Sequence, residues 1–104
     1  MSNSMASRDV VIANPQGLHA RPADLFSRLA SRFDSTVEVV KDKQRVDGKS
    51  ILDVLMLAAV QGTTLTIVAT GADANEAVEA LARMVEEYRT LEEVTDETTK
   101  KQTG

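Results

Sequence analysis

Apolar residues recur along this chain with two different periods, and the switches between them mark out its elements. Val10, Val11, Ile12 and Ala13 form a short β-branched run ended by Asn14-Pro15, which predicts a strand and then a turn whose proline removes a ladder donor. From Ala20 the apolar positions are Pro22, Leu25, Phe26, Leu29, Ala30 and Phe33, the i, i+3, i+4, i+7 spacing of a helix with one buried face. Pro22 falls in the first turn, where there is no intrahelical bond to lose. Thr36 to Val40 alternates around Val37 and Val39, Asp42-Lys43 supplies a charged turn, and Gln44 to Asp47 returns as a weak second strand of a hairpin.

Ser50 opens a second helix expected from Ile51 to about Val60, with Gly62 placed to end it. Thr64 to Ala69 alternates through Leu65, Ile67 and Ala69, the clearest half-buried strand of the chain. Asp73-Ala74-Asn75-Glu76 resembles a capping box, and Ala77, Val78, Leu81, Val85 and Tyr88 make the inner face of a last helix. The apolar pattern stops after Leu91. Glu92 to Gly104 is threonine-rich and charged, so residues 92–104, like the small polar stretch 1–7, are expected to be flexible ends of a single domain over 8–91. The order strand, helix, strand, strand, helix, strand, helix implies an α+β layer with helices covering one face of a four-stranded sheet.

Composition narrows the chemistry. A chain of 104 residues with 42% hydrophobic content suits one modest core. Without cysteine and with one histidine, neither a thiolate site nor a usual zinc centre is expected. Net charge is −4 and aromatics are 3%, which argues against a nucleic-acid surface. The most apolar stretch, Ile51 to Val60, is interrupted by Asp53 and too short to span a bilayer, and no charged leader opens the chain, so a soluble cytoplasmic protein is expected.

The single histidine, His19, stands where Asn14-Pro15-Gln16-Gly17-Leu18 hands over to the first helix. A helix start attracts anions through its free N–H groups and dipole, and the same field favours the neutral, nucleophilic imidazole. Arg21 can pair with phosphate oxygens, and Gly17 lets the backbone come close to them. Those features suit an imidazole that takes up and passes on a phosphoryl group. No serine, cysteine or carboxylate stands near enough in sequence to make a hydrolase triad. Gly48-Lys49-Ser50 is like the end of a P-loop, but Lys43 stands where that motif needs another glycine. Ser50 is by default a helix N-cap, with a kinase site as the sharper alternative. Ile51, Leu52, Leu55 and Met56 give the second helix more apolar surface than one core contact covers, which suggests a docking patch.

Gly17-Leu18-His19-Ala20-Arg21-Pro22-Ala23, Gly48-Lys49-Ser50-Ile51, Gly62-Thr63 and Thr70-Gly71-Ala72-Asp73 together resemble the HPr family from about Arg8 to Tyr88. That family comprises histidine-containing phosphocarriers of the phosphoenolpyruvate-dependent sugar phosphotransferase system. The resemblance implies an open-faced β-sandwich, a four-stranded antiparallel sheet covered on one face by three helices. It implies that His19 accepts phosphate on Nδ1 from enzyme I and passes it to enzyme IIA domains, without a cofactor. Arg21 would pair with the phosphate, and the backbone around Gln16, Gly17 and Ala20 would cap it. Ser50 falls on the position that HPr kinase/phosphorylase modifies in some bacteria, and Ile51, Leu52 and Leu55 on the family's docking patch. Asp24 and Asp53 depart from the pattern and are expected to alter partner preference. A monomer that visits its partners transiently is expected. Two other readings remain: a carrier of the nitrogen-related branch, and a regulatory protein controlled through Ser50.

Overall fold

The computed structural model describes residues 4–103, with side chains described for 4–88. Its elements run β1 (Met5–Val11), α1 (Ala20–Ala30), β2 (Thr36–Lys41), β3 (Gln44–Asp47), α2 (Ile51–Met56), β4 (Thr64–Thr70) and α3 (Ala74–Thr103). The four strands form one antiparallel sheet in the order β1-β4-β2-β3, an open sheet covered on one face by three helices, as expected.

The alternation in β4 explains its central place. Leu65, Ile67 and Ala69 are buried while Thr64, Thr66, Val68 and Thr70 alternate with them on the other side, so one face of the strand carries core and the other, mostly threonine, is more open. The same core takes Val37 and Val39 from β2 and Val10 from β1, and the helices close it with Phe26, Val54, Leu57 and Leu81. The β2–β3 hairpin turns at Asp42, whose φ of 54° is a left-handed conformation that a short polar side chain tolerates. Among the described residues, no helix is long and apolar enough to cross a membrane.

Three boundaries, and the partners of one side chain, differ from the sequence expectations. β1 begins at Met5, inside the stretch expected to be flexible, because its backbone pairs Met5 with Thr70, Ala6 with Ala69 and Ser7 with Val68. Residues 1–3 and Gly104 lie outside the described residues. α2 ends at Met56, not near Val60: Ala58 turns left-handed at φ 49°, and the carbonyl of Ala59 receives the Leu18 amide at 2.8 Å. Lys41 Nζ donates to the Leu57 carbonyl at 2.9 Å and so satisfies one acceptor that the shortened helix leaves open. α3 continues through Thr103, beyond Leu91, in a stretch from Ala72 to Thr103 that holds neither glycine nor proline to stop it.

Asp73 is the fourth difference. Its carboxylate reaches across to the α1–β2 turn, where Oδ2 accepts the Asp34 amide at 2.9 Å and Oδ1 accepts the Ser35 amide at 2.9 Å and the Ser35 hydroxyl at 2.5 Å. A tertiary clamp thus replaces the capping box. The Ser35 hydroxyl, followed by the Asp34 amide, holds the Asp73 carboxyl below its ordinary 3.8.

Candidate functional site

The loop that carries His19 is fixed from both ends. The Gly17 amide donates to the Asn14 carbonyl at 3.1 Å, and the buried Asn14 side chain donates back to the Gly17 carbonyl at 2.8 Å. Leu18 then bonds to Ala59, which ties the loop to the segment after α2. Gly17 has φ +71°, and a Cβ there would lie 2.5 Å from the Ala59 oxygen, so only glycine fits this approach. The glycine amide is used within the turn, which makes Gly17 a packing residue of the loop.

His19 follows as the N-cap of α1, with extended backbone (φ −87°, ψ −167°), and its carbonyl accepts the Ala23 amide at 3.0 Å. An N-cap side chain usually accepts an amide of the first turn, but the imidazole makes no such bond. The amides of Ala20 and Arg21 make no backbone hydrogen bond among the described residues, and Pro22 has none to offer. Two donors and the positive end of an 11-residue helix are therefore left for an anion beside the ring. The ring is half-buried, with Nε2 shielded from solvent, and it meets the Tyr88 ring edge-on at a centroid distance of 6.3 Å. Arg21 is exposed and in no ion pair among the described residues. Gln16, Leu18, His19 and Leu55 share the wall of a cavity of about 350 Å³, in which Ala58, Ala59 and Val60 also take part. A phosphoryl group at His19 would have room there, with amides and a guanidinium to hold it.

The residues expected to dock partners divide by exposure. Leu52 is 70% exposed, whereas Ile51 and Leu55 are half-buried against the core. Met56 at 70% and Val60 at 66% complete the exposed apolar surface. Val60 emerges because α2 stops early, which periodicity over 51–60 does not reveal.

Ser50 is the N-cap of α2, and its Oγ accepts the Asp53 amide at 3.2 Å. Asp53 in turn accepts the Asp47 amide at 3.3 Å, and Asp47 accepts the Lys49 amide at 2.9 Å. Ser50 is thus set between two carboxylates that serve the turn. Asp24 is matched by Arg28, whose Nε lies 3.0 Å from both of its oxygens, so much of its charge is compensated in place. Among the described residues, no group of three or more histidine, cysteine, aspartate or glutamate side chains could hold a metal ion.

Comparison with known proteins identifies the family. The family model described as "PTS HPr component phosphorylation site" matches residues 6–87. The chain is 43% identical over 84 residues to the phosphocarrier protein HPr of Neisseria meningitidis serogroup A, covering 81% of this chain and 94% of that protein. It is also 43% identical over 83 residues to the HPr-like protein Crh of Bacillus subtilis, covering 80% and 98%. The crystal structure of a phosphocarrier protein HPr from Bacillus anthracis superposes with a TM-score of 0.74 at 41% identity, covering 78% of this chain and 96% of that one.

Proposed function

Because the chain belongs to the HPr family of phosphocarriers of the phosphotransferase system, we propose that His19 is its phosphoryl-carrying residue, charged by phosphorylated enzyme I and discharged to enzyme IIA domains of sugar transporters. The observation that carries this reading is the open N-terminus of α1: an N-cap imidazole that leaves the Ala20 and Arg21 amides to an incoming anion. Burial of Nε2 favours Nδ1 as the nucleophile. In the transfer the Nδ1 lone pair attacks phosphorus in line as the donor's N–P bond breaks, and the released donor imidazole keeps its electron pair. Arg21 and the two amides hold the phosphoryl oxygens, Gln16 lines the wall beside them, and Gly17 holds the loop close to Ala59. The chain supplies position and charge, and no cofactor is required.

Leu52, Met56 and Val60, with the half-buried Ile51 and Leu55, offer the partner an apolar platform next to His19. Phosphorylation of Ser50, the regulatory alternative, would place a dianion at the N-terminus of α2, where the helix end favours it and the neighbouring Asp47 and Asp53 carboxylates oppose it.

Intact-mass analysis after incubation with phosphoenolpyruvate, magnesium and enzyme I tests the reading. One acid-labile phosphoryl group, absent from His19→Ala, is expected. An unmodified wild-type chain beside a control carrier that becomes phosphorylated overturns it.

A further inference from the structure

A second surface lies on the far side of α1 from the α2 platform. Leu25, Arg28 and Leu29 of α1 and Arg32 of the turn after it face Arg83 and Met84 of α3 across two adjoining cavities of about 550 and 330 Å³ that share Leu25 and Met84. The floor is apolar. Along the walls, among the described residues, three arginines stand against one glutamate, Glu87, on a chain whose net charge is −4.

The arginines are available for a partner to different degrees. Arg28 is engaged by Asp24, but Arg32 and Arg83 are exposed and in no ion pair among the described residues. Glu79 and Glu86, which stand at helical spacing from Arg83, are both taken by Arg8 of β1. The network that ties β1 to α3 thereby removes two carboxylates that could otherwise neutralise the groove.

We infer that the α1–α3 groove docks an acidic amphipathic helix of a partner protein. The positions 25, 28, 29 and 32 on one wall, and 80, 83, 84 and 87 on the other, both follow i, i+3, i+4, i+7. Two walls with this spacing and an apolar floor between them accept the ridge of a third helix. Met84 adapts to the shape of the inserted side chains, and glutamates flanking that ridge meet Arg32 and Arg83. Charge sets the occupant: a neutral or basic helix gains the apolar contact but faces the guanidinium groups. Tyr88 lines the groove and packs on His19, so an occupant touches the back of the histidine's own wall while the α2 platform stays open to a second protein. The inference is independent of phosphoryl transfer, because binding is read without it.

The test is an NMR titration of the 15N-labelled full chain with a helix-stabilised peptide carrying leucines at i, i+4 and i+7 flanked by glutamates. Shifts centred on Leu25, Leu29, Arg32, Arg83 and Met84 are expected, with affinity falling about tenfold or more in Arg32→Glu/Arg83→Glu. A peptide with lysines in place of the glutamates is expected to bind that double variant better than the wild type, a gain that a misfolded variant could not give. Shifts centred on Leu52 and Met56, equal binding of the two peptides by the wild type, or a response to anionic phospholipid vesicles and not to the acidic peptide would each overturn the inference.

Discussion

Replacing Gly17 by alanine tests how tightly the His19 loop is held, and Gly62→Ala supplies the control. Both glycines have positive φ, +71° and +90°, so an alanine at either carries a left-handed penalty of about 1 kcal/mol. Both also gain similarly from the stiffer unfolded chain, which cancels in the comparison. They differ in what the new methyl meets. At Gly62 nothing lies within 4 Å, whereas at Gly17 the Cβ lies 2.5 Å from the Ala59 oxygen and 3.0 Å from Val60 Cα. Ordinary contact begins near 3.4 Å, so loop and segment must part by nearly an ångström. That movement breaks or weakens the Leu18–Ala59 hydrogen bond, costing about 1 kcal/mol, and opens packing around two buried residues for a similar amount. Gly17→Ala is therefore expected to lose about 2 kcal/mol more than Gly62→Ala, a gap of roughly 8–16 °C in melting temperature for a domain of this size. Thermal unfolding followed by circular dichroism measures the gap, and hydrogen exchange at the Leu18 amide reports the broken bond. Equal melting temperatures for the two variants, with Leu18 protection unchanged, would refute the close-approach argument.

Three further outcomes are expected. Asp73 has a lowered carboxyl pKa in the folded state, so its contribution is complete above its ordinary 3.8 and is lost as pH falls through the lowered folded value; urea unfolding across the acid range should show a shallower loss for Asp73→Asn than for the wild type. Leu52→Glu and Met56→Glu, at positions 70% exposed, should leave the melting temperature within about 2 °C while cutting the rate of phosphorylation by enzyme I at least about tenfold. Leu57→Ala, at a position 1% exposed, should cost about 2–5 kcal/mol in chemical denaturation, because the void beneath the end of α2 cannot be refilled from solvent.

Where local sequence decides the structure, reading it sufficed. The helical spacing from Pro22 to Ala30 and the alternation in Leu65, Ile67 and Ala69 each produced an element close to the expected place. His19 at the start of α1 was legible for the same reason, since turn, histidine and helix are contiguous. The misses share a different cause. Met5, Ala6 and Ser7 join β1 through backbone pairing with β4, a partner more than fifty residues away that imposes no pattern on their side chains. α2 stops at Met56 because Ala59 must turn its carbonyl to Leu18, a demand set by the loop it packs against. Asp73 looks like a cap in sequence, yet its oxygens are claimed by Ser35 and Asp34, which only the folded chain brings near. The apolar surplus of the second helix was visible, but its split between half-buried Ile51 and Leu55 and exposed Met56 and Val60 depended on that early stop.

The strand order carries a consequence for how the chain is made. β4 lies between β1 and β2, so neither neighbour can pair with it until residues 64–70 have been synthesised. Only the β2–β3 hairpin is local, and a two-stranded hairpin is marginal alone. A ribosome-bound chain ending before Thr64 therefore has no sheet to join, and the first strand must wait with its edge uncovered. Folding should begin only when β4 clears the exit tunnel, in one step that closes the sheet and gives α3 its surface. Nascent chains arrested on either side of that length should switch abruptly from protease-sensitive to protected.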